Sequence, residues 1–218
     1  APAWLLLNST TGALSGTPNA PANTNINVTV TDANGATGTK QLALVITGPL
    51  SITTSSLPPW TVGMPYSQTL TSEGGSGSIT WSLQNGSTLP SALTLSPAGL
   101  LSGTPSAAGT SSFTVQATDA TPTTVTKTLA LTINTAPVIA TSALPGGAVN
   151  TAYSTTVTAT GGTAPLVWSS SGLPAGLSLD SATGVLSGTP SAPGTASVAL
   201  TVTDSAGASQ SKTIPLTV

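Results

Sequence analysis

Through most of the chain apolar side chains fall on every second position, in short runs cut off by Gly, Pro, Asn or Asp. Phe113-Thr-Val-Gln-Ala-Thr118 and Val198-Ala-Leu-Thr-Val-Thr203 show the pattern most clearly. A period of two puts the apolar groups on one face of an extended strand and the Thr hydroxyls on the other, which suits a sheet with one wet side. No segment carries the three-to-four spacing of an amphipathic helix. In the middle of the chain the alternation predicts strands at Tyr66 to Leu70, Ile79 to Leu83, Leu93 to Leu95, Gly99 to Ser102, Ser111 to Thr118 and Val125 to Ile133. Turn residues separate them, so the expected class is all-β, built from antiparallel sandwiches.

The strand pattern recurs. Leu-Ser-Gly-Thr-Pro occurs at Leu14 to Pro18, Leu101 to Pro105 and Leu186 to Pro190, at spacings of 101 − 14 = 87 and 186 − 101 = 85. Asp32, Asp119 and Asp204 keep those offsets, as do Lys40, Lys127 and Lys212, while Tyr66 maps to Tyr153 and Trp81 to Trp168. Ser51-Ile-Thr-Thr-Ser-Ser-Leu-Pro58 matches Val138-Ile-Ala-Thr-Ser-Ala-Leu-Pro145 and marks where a unit starts. The expected division is a partial unit at residues 1–48, then complete units at 49–135 and 136–218. Ala1-Pro2 aligns with Leu89-Pro90, so the partial unit lacks the first 89 − 49 = 40 residues of a unit. That half is expected to lie upstream in a longer protein or to be supplied by another chain.

The segment Leu173-Pro-Ala-Gly-Leu-Ser-Leu-Asp-Ser-Ala-Thr-Gly-Val-Leu-Ser-Gly-Thr-Pro190, followed by Val202-Thr-Asp204, resembles the bacterial Putative-Ig repeat family. The other copies are Leu93-Thr-Leu-Ser-Pro-Ala-Gly-Leu-Leu-Ser-Gly-Thr-Pro105 and Leu5-Leu-Leu-Asn-Ser-Thr-Thr-Gly-Ala-Leu-Ser-Gly-Thr-Pro18. The resemblance spans the chain and departs only at Pro90-Ser-Ala-Leu93, where Pro-Ala-Gly-Leu is expected. It implies cadherin-like or immunoglobulin-like sandwiches in tandem. It also implies spacing, stalk or adhesion roles in large extracellular bacterial proteins, and no catalytic residues.

Composition narrows the function. Hydrophobic residues make up 38% of the chain but charged ones only 4%, far below the usual quarter or so, so solubility rests on Ser, Thr, Asn and Gly. With 3 Lys, no Arg and a net charge of -2 there is no basic face for nucleic acid or for an anionic membrane. No run approaches the roughly 20 apolar residues needed to span a bilayer, so membrane insertion is not expected. The absence of Cys removes disulfides and thiolate chemistry.

Catalysis needs a nucleophile, base or metal ligand, and the chain has neither His nor Cys. Beyond the repeated Asp, Glu73 and Asp180 are the only acids, so no carboxylate pair is suggested. No enzyme activity, cofactor or metal site is expected. The repeated Asp and Lys, eight residues apart across a turn, read as a turn cap beside a Lys on a solvated strand; an intramolecular Lys–Asx amide is the sharper alternative, with no buried acid to assist it. Calcium between units would need six to eight oxygens, and the junctions Ile46-Thr-Gly-Pro-Leu50 and Ile133-Asn-Thr-Ala-Pro-Val138 hold no acid.

Trp81 and Trp168 share a mid-strand repeat position and are expected in the core. Trp60, whose counterpart is Gly147, and Trp4 are not demanded by the repeat, and are the candidates for surface contact with a neighbour or a glycan. Asn8, Asn27 and Asn85 fit the N-glycosylation acceptor pattern. With few linker residues and a Pro at Pro49 and Pro137, the units are expected to stack as a rod. Three functions follow: a rigid spacer or stalk; a filament subunit whose half unit is completed by a neighbouring chain; and a carbohydrate-binding module resting on Trp4 and Trp60. The expected partners are neighbouring repeats or copies of the same protein, and a cell-surface glycan in the third case.

Overall fold

The computed structural model describes residues 1–218 and contains strands, turns and no α-helix. In the middle unit Tyr66–Thr69, Leu93–Leu95 and Leu100–Gly103 form one antiparallel sheet. The facing sheet holds Thr80–Leu83, Gly109–Thr118, Thr124–Asn134 and the short strand Trp60–Thr61, which runs parallel to the end of Thr124–Asn134. The apolar side chains of both sheets meet in one core, with Leu101, Phe113, Val115, Ala117 and Leu131 almost wholly enclosed and Trp81 and Tyr66 packed on them. The last unit repeats the plan. Tyr153–Thr156, Leu177–Leu179 and Val185–Gly188 face Val167–Ser171, Thr195–Thr203 and Ser209–Thr217 across a core that includes Trp168, Leu186, Val198, Leu200 and Leu216.

The six strands expected in the middle unit are present, each within about two residues of its expected ends. Ser51–Ile52, Trp60–Thr61 and Ser72–Glu73 were not foreseen, because two residues carry no period. The wet faces of the long hairpins bear cross-strand hydroxyl pairs: Thr29–Thr39, Thr110–Thr132, Thr114–Thr128, Thr195–Thr217 and Thr201–Ser211, at 2.7 to 3.0 Å. Such pairs stabilise facing strands by a few tenths of a kcal/mol each without charge.

The packing explains the Leu-Ser-Gly-Thr-Pro string. Its Leu is fully enclosed in the core at Leu101 and Leu186. Its Gly sits at φ 142° in both complete units, and a Cβ there would lie about 2 Å from the carbonyl oxygen of Ala92 or Gly176, so only glycine fits. Its Pro is buried, and its carbonyl accepts the Gly63 or Asn150 amide at 2.9 Å, tying the motif to an early loop of the same unit.

Residues 1–48 form only a hairpin, Ala22–Thr31 with Thr37–Ile46, and the two-residue pair Leu6–Leu7 with Leu14–Ser15. Both are two-stranded.

Candidate functional site at the junction between repeats

The residues with structural consequences beyond their own unit lie where the middle unit meets the last. Its linker is docked rather than loose. The Gly162 amide donates to the Thr135 carbonyl at 2.8 Å, as Gly75 does to Gly48 at 2.9 Å in the preceding junction. Each donor belongs to a Gly-Gly pair at φ near 70°, and a Cβ at Gly74 or Gly161 would strike a linker carbonyl oxygen at 2.1 or 2.5 Å.

Above the linker lies a buried polar cluster drawn from both units. Thr61 of the middle unit, with no exposed surface, hydrogen-bonds to the Asp204 carboxylate of the last. Its hydroxyl also lies 2.7 Å from that of Thr163, which accepts from Asn134 Nδ2 at 2.9 Å. The Thr163 amide donates to Asp204 Oδ2 at 2.9 Å, and the other oxygen caps its own turn by accepting the Ala206 and Ala208 amides at 3.0 and 2.8 Å. The carboxylate is thus a two-sided bracket. One oxygen shapes a turn and the other binds a loop of its own unit and a side chain of the previous one.

Asp119 repeats part of this in the middle unit. Oδ1 accepts the Thr121 and Thr123 amides, Oδ2 accepts the Ser76 amide, all at 2.9 Å. Asp32 keeps only the turn cap, accepting the Asn34 and Ala36 amides at 2.9 and 2.8 Å. The turn-cap expectation therefore describes Asp32 and one oxygen each of Asp119 and Asp204, and missed the second oxygen of those two. The solvated-Lys expectation is corrected. Lys127 and Lys212 are half-buried and donate to the Ile52 carbonyl at 3.2 Å and the Thr141 carbonyl at 2.8 Å, near the start of their own units. Neither pairs with the neighbouring Asp, because Lys127 stands opposite Val115 in the register, well before Asp119.

The other singled-out residues lie as follows. Trp60 is half-buried, its ring edge-on to Tyr66 at 5.8 Å and its Nε1 enclosed without a partner. The contact with the next unit is made by Thr61, one residue on. Tyr66 Oη is likewise enclosed without a partner, and burial pushes its pKa up to about 12, whereas Tyr153 Oη donates to the Pro145 carbonyl at 3.0 Å. Trp4 is half-buried, its carbonyl at the close approach to Gly16. Trp81 and Trp168 are buried. Asn8, Asn27 and Asn85 are exposed; Asn8 Oδ1 accepts the Thr10 and Thr11 amides at 3.0 Å, and Asn27 Oδ1 accepts from Gln41. No three acidic side chains cluster, and no helix is long and apolar enough to cross a membrane.

Burial pushes the Asp204 carboxyl up, but the Thr61 hydroxyl and the Thr163, Ala208 and Ala206 amides outweigh it and hold the group below its ordinary 3.8. Asp119 is lowered in the same way, its burial outweighed by the bonds from Ser76, Thr123 and Thr121; Asp180 is lowered by the Thr183 and Ala182 bonds. A carboxyl whose folded pKa is depressed adds stability that is present above the unfolded value and lost as pH falls through the folded one. Thermal stability is therefore expected to be flat from neutrality down to about pH 5 and to fall below about pH 4, measured by melting across pH; a fall centred near pH 6 would contradict this.

A family model described as "Putative Ig domain" matches residues 1–47, 48–134 and 136–218. No curated protein sequence matches the chain. Among solved structures, Drosophila OTK extracellular domains 3-5 are 16% identical, with 99% of this chain and 77% of that one covered and a TM-score of 0.42. The titin I-band fragment I67-I69 is 16% identical over 78% and 66%, with a TM-score of 0.46. A "putative alpha-galactosidase/melibiase" of Bacteroides fragilis is 25% identical over 38% of this chain, with a TM-score of 0.36, and the chain spans 17% of its length.

Proposed function

Since the chain belongs to the Putative Ig domain family, we propose that it is a non-catalytic spacer or stalk region of an extracellular bacterial surface protein. In this role its repeats hold one another end to end, and its partners are neighbouring repeats or copies of the same protein. The observation that carries the reading is the Thr61 hydroxyl of one repeat buried against the Asp204 carboxylate of the next. A hinge meant to flex would leave these groups to water. Docked linker carbonyls and the Gly-Gly turns that receive them support the same role. The hydroxyl-paired wet faces suit an exposed, nearly uncharged surface, and Lys127 and Lys212 are half-buried, which leaves few sites for a trypsin-like protease.

A rod has a measurable length. Strands of ten residues at about 3.3 Å per residue make each unit on the order of 30–40 Å long. Small-angle scattering of the chain is expected to give one extended particle on the order of 80–100 Å long, with the same profile at low and high salt. A broad distribution of interdomain angles would defeat the spacer reading.

A further inference from the structure

We propose that Asn85 is a modification site. Its side-chain amide is lost to water after attack by the Gly86 backbone nitrogen, leaving aspartate or isoaspartate, while the Asn34-Gly35 pair is preserved. Asn34 and Asn85 are the two Asn residues followed by Gly. Glycine there leaves the attacking nitrogen uncrowded, because no Cβ stands beside it. As sequence the two pairs are equivalent; the turns that hold them are not. Asn85 and Gly86 form the exposed centre of the turn Gln84-Asn-Gly-Ser87, closed by the Ser87 amide donating to the Gln84 carbonyl at 3.0 Å. Both ends are fastened to the strand Gly109–Thr118. The Gln84 amide donates to the Thr114 carbonyl at 3.0 Å, and the Ser87 hydroxyl accepts the Thr114 amide at 2.6 Å. Between these anchors the Gly86 amide donates to nothing, and a Cβ built at Gly86 would meet nothing within 4 Å. The central peptide of a four-residue turn can rotate while its closing bond stays made, so the Gly86 nitrogen reaches Asn85 Cγ without breaking a hydrogen bond.

In the turn Asp32-Ala-Asn-Gly-Ala36 the corresponding nitrogen is engaged. The Gly35 amide donates to the Asp32 carbonyl at 3.1 Å, and Asp32 Oδ1 accepts the Asn34 and Ala36 amides on either side, at 2.9 and 2.8 Å. An amide already donating, between two fastened neighbours, must break bonds before it can attack. The last unit passes through the turn equivalent to that of Asn85 as Ser170-Ser-Gly172 and has no Asn there, so the modification falls on the middle repeat. In the reaction hydroxide removes the Gly86 N–H proton and the nitrogen's electron pair forms a bond to Asn85 Cγ. The Cγ–Nδ2 bond then breaks, and its nitrogen takes a proton from water and leaves as ammonia. Water opens the resulting cyclic imide at either carbonyl, so one water enters for each ammonia lost. The new carboxylate takes the net charge from -2 to -2 − 1 = -3. Opening at the backbone carbonyl puts an extra methylene into the main chain between Gln84 and Ser87, which then no longer match the single residue Thr114 that both hold.

The test incubates the full chain, made in a host that adds no N-glycan, at mildly alkaline pH. Samples taken at intervals are unfolded and cleaved after Lys40 and Lys127, so that residues 1–40 carry Asn34 and residues 41–127 carry Asn85. The second fragment is expected to become about 1 Da heavier, and to accept methyl groups from an isoaspartyl methyltransferase. It should do so about tenfold faster or more than the first, whose turn must break hydrogen bonds to react. Held unfolded in guanidinium throughout, the two Asn-Gly pairs should convert at similar rates, and Asp32→Ala should speed conversion at Asn34 in the native chain. Hydrogen exchange on the isoaspartyl chain should show the Thr114 amide deprotected; unchanged protection there overturns the consequence drawn for the strand. Equal rates at the two pairs in the native chain, or a native Asn85 that stays intact while the unfolded chain converts, overturns the proposal.

Discussion

Gly188→Ala is expected to destabilise the last repeat by about 3–5 kcal/mol. At φ 142° a Cβ would sit 2.0 Å from the Gly176 carbonyl oxygen, a backbone atom held by the Leu177–Leu179 pairing, so relief requires separating two strands. Gly194 isolates the causes. Its φ is 148°, but a Cβ there meets nothing within 4 Å, so Gly194→Ala carries the backbone penalty alone, about 1 kcal/mol. Stability of about 0.05–0.15 kcal/mol per residue gives a unit of this size roughly 4–12 kcal/mol, so the first change removes much of it and the second little. Denaturant titration followed by hydrogen exchange across Thr195–Thr203 and Ser209–Thr217 distinguishes them. Equal effects of the two substitutions would mean that the close approach to Gly176 is not what demands glycine.

The second large effect is at Asp204. Asp204→Ala orphans the Thr163, Ala206 and Ala208 amides and the Thr61 hydroxyl together, at an expected cost of about 3–5 kcal/mol. Most of that falls within the last unit, so the part that belongs to the junction must be isolated. Thr61→Val keeps the shape, removes one hydroxyl and is expected to cost about 1–3 kcal/mol. A double-mutant cycle between Thr61→Val and Asp204→Ala should show coupling of about 1–2 kcal/mol, although the residues belong to different repeats. The same Thr61→Val chain should scatter as a less uniform rod. Additive effects and an unchanged scattering profile would mean that the cluster is a local turn device only, and the end-to-end reading would lose its main support.

Much of the fold was legible because it rests on local rules. Alternation in Phe113-Thr-Val-Gln-Ala-Thr118 is read one residue at a time, and a sheet with one buried face needs nothing else to choose its sides. The repeated Tyr, Trp, Asp and Lys were found by spacing alone. Their jobs were not. Lys127 and Lys212 bond carbonyls 75 and 71 residues away in sequence, and Asp204 meets Thr61 across 143 residues. Thr61 offered no signal, since its counterpart in the last unit is Ala148 and one more Thr in a Thr-rich chain is inconspicuous. Trp60, singled out because the repeat does not demand it, is the residue next to Thr61 in sequence.

The sequence by itself determined that the protein is a tandem of antiparallel sandwiches, with strands whose wet faces are hydroxyl and whose motif glycines stand at fixed intervals. Strand periodicity and turn chemistry act over a few residues and survive in any context. Only the tertiary structure decided that Asp204 binds on both sides, that the linkers are docked, and that Lys127 and Lys212 reach back to carbonyls at the start of their own units. Those outcomes depend on which groups are brought together and shut away from water, and a carboxylate or an apolar face acquires its role only from what is packed against it.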